Sequence, residues 1–282
     1  MSSTTSANAF WNTLDGVVVV NLDERHDRWD QLQAEAAGLP GLGGLTRISA
    51  VRGTKLSDYG QKPWFRGRHT DPRWAARAGC TLSHRKALTH ARQSGWKTLL
   101  VLEDDADLQP LRSLDMDRLA DILFNKYSNW DVCYLGYSQA VGVACPVSPQ
   151  QPDLLEVQGC YTTHAYLVKG RAIDWIIRQL PDEKHVWSWT STHRIIDRWY
   201  ARNLSRQLKV YAFAPALIHQ RTTFSDIVNR EVDYQVEFAD HLPRITHRRL
   251  WFNLRKRLLN TLYSILEIYD AVRGLRKRLR GF

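Results

Sequence analysis

Cysteine is scarce in this chain: four in 282 residues, at Cys80, Cys133, Cys145 and Cys160, too widely spaced for a CxxC pair and too few to staple a protein of this size. Free thiols are expected. Long apolar runs are missing too, since stretches such as 17–20 and 99–102 are strand-sized, against the roughly 18 consecutive apolar residues of a membrane-spanning helix. The first fifteen residues hold neither a basic start nor an apolar stretch and do not read as a secretory signal, so a cytoplasmic address is expected. Internal repeats and low-complexity tracts are absent.

What is present is globular in composition, with 44% hydrophobic and 24% charged residues, which argues against disorder. The formal net charge is +10, but it is unevenly placed. Residues 244–282 hold eleven Lys and Arg against two acids, Glu267 and Asp270, and residues 1–243 are nearly neutral. The basic excess belongs to the tail, and with no recognised module before it, nucleic acid is not the expected partner.

Residues 10–243 read as one domain and 244–282 as a separate tail. GVVVVNLD is a short apolar run ending in polar residues, as in a buried parallel strand, and ERHDRWDQLQAEAAG reads as a helix stopped by Gly38. RWAARAGCTLSHRKALTHARQSG is a second helix closed by Gly95, and WKTLLVLEDD the next strand. DVCYLGYS and HAYLVKG look like strands, RAIDWIIRQL like a helix, and KVYAFAPALIHQ like a last strand. This alternation predicts an α/β fold of the doubly wound kind, whose ligands sit beyond the carboxyl ends of the strands.

At such an end, Glu103, Asp104, Asp105 and Asp107 follow an apolar strand within five positions. Crowded carboxylates repel one another, and a hard divalent ion with oxygen ligands is the common compensator. Alternation along a strand would put Glu103 and Asp105 on one side and Asp104 on the other. Ser83 and His84 are neighbours on a predicted helix and point about 100° apart, which excludes a nucleophile and base pair.

Four segments in order carry a resemblance to glycosyltransferase family 25, the lipooligosaccharide and procollagen-type galactosyltransferases: VVVVNLDERHDRW, RISAVRG, GCTLSH and LLVLEDDA. PALIHQRTTFSDI is a weaker fifth, and the likeness spans about residues 15–230. It implies a GT-A type nucleotide-diphospho-sugar transferase fold, here with a basic amphipathic C-terminal helical tail. The implied reaction is inverting transfer of a hexose, commonly galactose, from a UDP-sugar to a glycan hydroxyl, with manganese or magnesium, in cell-surface polysaccharide or lipooligosaccharide synthesis. RISAVRG departs from the pattern in having Arg52 where an acidic residue often stands.

By that resemblance Asp105, Glu103 and His219 are the expected metal ligands, with Glu103 or Asp104 reaching the donor ribose or a metal-bound water. Asn21, Asp23, Arg25 and Arg28, in the turn after the first strand, are expected to hold the nucleotide, with Ser83 and His84 beside the donor. Read without it, NLDERHDR is a helix start capped by Asp23. An inverting transfer needs a general base, for which Asp197 is the first choice, His193 would share its helical face four residues earlier, and Asp226 is the third. An ion pair to Arg194 or Arg198 would explain Asp197 equally, and a helix cap would explain Asp226. Trp187 and Trp189 are candidates for stacking on an acceptor sugar.

Two other classes fit parts of the sequence. A nucleotidyltransferase also sets carboxylates at strand ends, but no glycine-rich phosphate loop follows the first strand here; a non-catalytic membrane-associated adaptor would need its acidic cluster only to cap a loop. In the tail, Trp251, Leu254, Leu258, Leu262, Ile265 and Tyr269 begin an apolar stripe at three- and four-residue steps, flanked by Arg and Lys. Such a helix lies on an anionic membrane surface, peripheral on its inner face, or docks on the domain or another chain.

Overall fold

The computed structural model of the protein describes residues 9–65, 71–225, 230–232 and 244–281. A short helix α1 (Ala9–Asn12) precedes strand β1 (Gly16–Asn21), helix α2 (His26–Ala37), strand β2 (Thr46–Ser49) and the long helix α3 (Pro72–Gln93). Strand β3 (Thr98–Glu103) and the short β4 (Ala106–Asp107) follow, then α4 (Met116–Ala120) and β5 (Val132–Gly136). The expected strands GVVVVN and TLLVLE therefore form, and β1 pairs parallel with both β2 and β3.

Local chemistry sets these boundaries. Asp71 caps α3 by accepting from the Arg73 amide at 2.9 Å, and Pro72 occupies the first turn, where its missing N–H costs nothing. Beyond its end Gly95 turns the chain at a φ of 72°, a conformation glycine adopts without strain. Gly79 to His84 lie in the middle of α3.

The second half is less regular than the doubly wound expectation. β6 (Gln139–Ser148) and β7 (Gln151–Tyr161) form a long antiparallel hairpin that the sequence reading missed. They are followed by β8 (Ala165–Lys169), α5 (Gly170–Gln179), α6 (Val186–His193), α7 (Ile196–Gln207) and β9 (Val210–Phe213). The last strand read over KVYAFAPALIHQ is in fact two: β9 ends before a cis Ala214–Pro215 bond, and β10 (His219–Gln220) leaves the main sheet to pair with β4. β11 (Thr223–Ser225), β12 (Arg230–Val232) and β13 (Arg244–Ile245) complete the strands. The result is one mixed nine-stranded sheet in the order β13-β6-β7-β9-β5-β8-β3-β1-β2.

Alternation along the strands gives the sheet two buried faces. Val18, Val20, Leu99 and Val101 pack with α3, α5 and α7 on one side. Val17, Val19, Leu100 and Leu102 pack with α2 and α4 on the other. Each such side chain contributes about 1.5–3 kcal/mol relative to exposure.

The tail folds as one helix, Arg249–Arg280, laid along the domain. Glu156 on β7 is buried and accepts from Lys256 at 2.9 Å and from Arg249. Burial alone would raise its pKa, but the two cations outweigh it and hold the carboxyl below its usual value.

On the opposite flank, the loop after β2 is clamped to α3. The Val51 amide donates to Ser83 Oγ at 2.8 Å, and Gly53 meets the helix so closely that a Cβ there would lie 1.7 Å from the Ala75 carbonyl oxygen. Gly53→Ala should therefore force backbone apart and cost about 1–3 kcal/mol or more, read as a lowered urea midpoint with unchanged slope.

Candidate functional site

Three consecutive carboxylates emerge where β3 ends, and each meets a different environment. β3 stops at Glu103, so Asp104 and Asp105 lie in a turn. The alternation expected of a continuing strand does not apply, and all three line one cavity of ≈ 300 Å³. Its other walls come from Leu22, Arg28, the 50–54 loop, and Cys80, Ser83 and His84 of α3.

Glu103 Oε1 accepts from Thr163 Oγ1 at 2.6 Å and from His84 Nε2 at 3.2 Å. His84 is fully buried, and its Nδ1 faces the Tyr166 hydroxyl at 3.1 Å, so the ring is fixed at both ends. Burial works to raise the Glu103 pKa, but the His84 hydrogen bond, its charge and Thr163 prevail and hold the carboxyl below the ordinary glutamate value. Asp104 is saturated by Arg28 NH1 and Asn21 Nδ2, both at 2.8 Å; burial outweighs these donors and raises its pKa.

Asp105 is different. Gln220 Nε2 donates to its Oδ2 at 2.9 Å, while Oδ1 is buried without a hydrogen-bond partner among the described residues. Burial, followed by the charges of Glu103 and Asp104, pushes its pKa up to about 7. Gln220 Oε1 is likewise buried and unpartnered. Orphan carboxyl and amide oxygens on two hydrogen-bonded side chains, beside a carboxylate excess, are of the oxygen type a hard divalent cation takes, so these residues fit one. Cys80, His84 and Glu103 also place ligand atoms within 4.8 Å of one another. There a cation would have to break the His84–Glu103 bond, and burial followed by the Glu103 charge keeps Cys80 a thiol, with its pKa well above the usual value.

A second cavity of ≈ 450 Å³ adjoins the first through Cys80, Glu103 and Gln220, which line both. Asp197 lies in its wall, in the first turn of α7, accepting from the Arg198 amide at 2.6 Å and the Thr162 amide at 3.4 Å. Burial raises its pKa. Thr162 and Arg194 are the two non-glycine residues with positive φ among the described residues, at 64° and 72°, and both line this cavity. Such strain costs of order 1–3 kcal/mol each and concentrates at functional sites.

The remaining expected residues fall elsewhere. Positive φ at Arg194 ends α6 and separates it from α7, so His193 does not share a helical face with Asp197. Its ring lies 4.8 Å from Trp189, burial lowers its pKa to about 4, and it lines neither cavity. His219 sits opposite Asp107 on β10 and lines neither cavity; its neighbour Gln220 reaches Asp105. Asp23 accepts from Ser49 Oγ at 2.7 Å, and Arg25 pairs with Asp27 at 2.9 Å, both outside the cavity walls.

Arg28 and Ser83 do line the first cavity, with Ser83 Oγ also donating to the Gly79 carbonyl at 2.7 Å. Arg52 lines it too and pairs with Glu24. Asp226 lies outside the described residues. Trp187 is buried against Tyr59 and Phe65 in a satellite core, which rules out its stacking on a sugar. Thr163 and Gln220 were missed by sequence reasoning, since neither type nor spacing distinguishes them from ordinary strand-end polar residues.

No family model matches the chain, and no curated protein matches it. Among solved structures it is similar to A197 from STIV, at 14% identity and a TM-score of 0.34, covering 83% of this chain and 98% of that one. It is also similar to a glycosyltransferase involved in glycosylation of the major capsid of PBCV-1, at 11% identity, TM-score 0.35, 86% of this chain and 98% of that one. A third is the mannose-1-phosphate geranyltransferase of Thermus thermophilus, at 10% identity, TM-score 0.30 and 75% of each chain. Likeness at this level leaves the reading of the site to its own chemistry.

Because the Asp105 pKa of about 7 lies above the ordinary 3.8, its contribution to stability is present below 3.8 and lost as pH rises through about 7. Asp105→Asn should lose less stability than the wild type across that window in chelator. Manganese should raise the unfolding temperature of the wild type and leave that of Asp105→Asn unchanged.

Proposed function

We propose that the protein is a metal-dependent, inverting glycosyltransferase that moves a hexose from UDP to a glycan hydroxyl. The family resemblance points to galactose. The observation that carries the reading is the pair of buried orphan oxygens of Asp105 and Gln220 in the wall of the first cavity, with Gln220 lining the second as well. One cavity takes the donor and the other the acceptor, so the bond exchanged lies between them.

On the donor side, Arg28 and the 50–54 loop line the space for the nucleotide, with Asn21 holding Asp104 from behind. Asp105 and Gln220 would hold the divalent cation, manganese or magnesium. When bound, such an ion supplies Lewis-acid neutralisation of a departing diphosphate. Glu103, kept ionised by His84 and Thr163, maintains negative charge at the junction of the cavities, where a sugar acquires positive character as it is transferred.

Asp197 is the proposed general base on the acceptor side. Burial raises its pKa, which makes it a stronger base toward the attacking hydroxyl than an ordinary carboxylate. Arg77, Arg194 and Arg198 line the same cavity, and none has an ion-pair partner among the described residues. Arg77 does lie over the Trp74 ring at 4.8 Å, but three guanidiniums without an ion-pair partner among the described residues favour an acceptor that carries a carboxylate or phosphate beside its reacting hydroxyl.

A panel of UDP-sugars tested for manganese-dependent hydrolysis checks the reading: one sugar, UDP-galactose first, should be cleaved. No cleavage of any sugar, with no heat on titrating UDP and manganese, would leave the adaptor. Asp197→Asn should slow UDP-galactose hydrolysis by about 10²-fold or more while UDP binding by calorimetry stays as in the wild type.

A further inference from the structure

The C-terminal helix docks on the domain by a side that is polar except near its start, where Phe252 and Leu259 pack on Val143 and Cys145. Phe252, Lys256, Tyr263, Glu267, Asp270 and Gly274 recur at three-, four- and seven-residue steps, and this is the side that meets the domain. Its anchors are largely ionic: Arg206 pairs with Glu267 at 2.6 Å, Arg202 with Asp270 at 3.0 Å, and Arg273 donates to the Thr192 carbonyl. Gly274 passes over Thr192, where a Cβ would lie 2.5 Å from its hydroxyl.

The opposite side is apolar and uncovered. Apart from Ile245, every exposed large hydrophobic side chain among the described residues belongs to this helix, eleven from Leu250 to Leu279 at 45–86% exposure. A contiguous face of that kind on a chain otherwise well buried marks an interaction surface. Its 32 residues extend for about 48 Å, and no helix among the described residues is long and apolar enough to cross a membrane.

Charge decides between occupants. Both acids of the helix, Glu267 and Asp270, are on the docked side and held by arginines. Beside the apolar face stand the exposed Arg257, Arg276 and Arg280, and Arg255 lies over the Trp251 ring at 5.2 Å. The outward face therefore carries positive charge alone. A second copy of the same face would bring arginines against arginines. An anionic lipid surface meets the arginines with opposite charge and offers the apolar side chains its acyl boundary, with Trp251 and Tyr269 at the depth such rings prefer.

We propose that the outward face of helix Arg249–Arg280 lies flat in the interface of an anionic membrane, with the domain carried on its polar back. The inference rests on no assignment of the reaction.

Co-sedimentation of the full chain with vesicles tests it. Binding to phosphatidylcholine vesicles containing phosphatidylglycerol should far exceed binding to phosphatidylcholine alone and should weaken as salt is raised. The Leu258→Glu/Ile265→Glu double variant alters only exposed positions, so its unfolding temperature should match the wild type while its anionic-vesicle partitioning falls roughly tenfold or more. Equal sedimentation with both vesicle types, or an unaffected double variant, would overturn the proposal. So would a wild-type dimer in light scattering that the double variant dissociates, since a second copy would then cover the face.

Discussion

Three carboxyl groups in a row at the mouth of one buried strand are the constraint around which this site is arranged. Water cannot screen them there, so each must be answered by the protein or left in tension. Glu103 is answered by an imidazole and a hydroxyl, and Asp104 by a guanidinium and an amide. Asp105 receives one amide hydrogen and a distant guanidinium at 4.0 Å, and its Oδ1 has no hydrogen-bond partner among the described residues. Much of the surrounding architecture follows from this division: α3 delivers His84, the end of β1 delivers Asn21 and α2 delivers Arg28, while β10 leaves the main sheet to bring Gln220 across. The one carboxylate left under-supplied lines the first cavity, and that imbalance is what the proposed cation would relieve.

The strands that carry this arrangement were legible in the sequence because their apolar runs end abruptly in polar residues, as at Asn21 and Glu103. The helices were legible because caps and glycines mark them, as Asp71, Pro72 and Gly95 mark α3. What stayed hidden is what depends on orientation. His219 and Gln220 are neighbours on a strand and point to opposite sides, so only one can meet Asp105, and nothing in their types says which. The break at Arg194 was equally invisible, since arginine carries no signal for a left-handed turn, yet it separates His193 from Asp197. In the hairpin of β6 and β7, residues 154–160 of β7 are buried without alternation, and Gly142 and Pro146 interrupt the pattern of β6.

The tail shows the same limit from another direction. Periodicity reported an apolar stripe and a charged flank, and left open whether the stripe meets a membrane surface, the domain or another chain. Here the ionic side docks instead, because Glu156, Arg202 and Arg206 on the domain supply its partners. Hydrophobic pattern identifies a face; which neighbour that face meets is decided by complementary groups far away in the chain.

The close approach of Gly53 to α3 has a consequence for recognition. With that loop bolted to the helix backbone and its Val51 amide already engaged by Ser83, one side of the first cavity is set before any guest arrives. Association then surrenders the guest's own freedom and little of the host's, so shape selection there resembles a rigid gauge more than a closing hand.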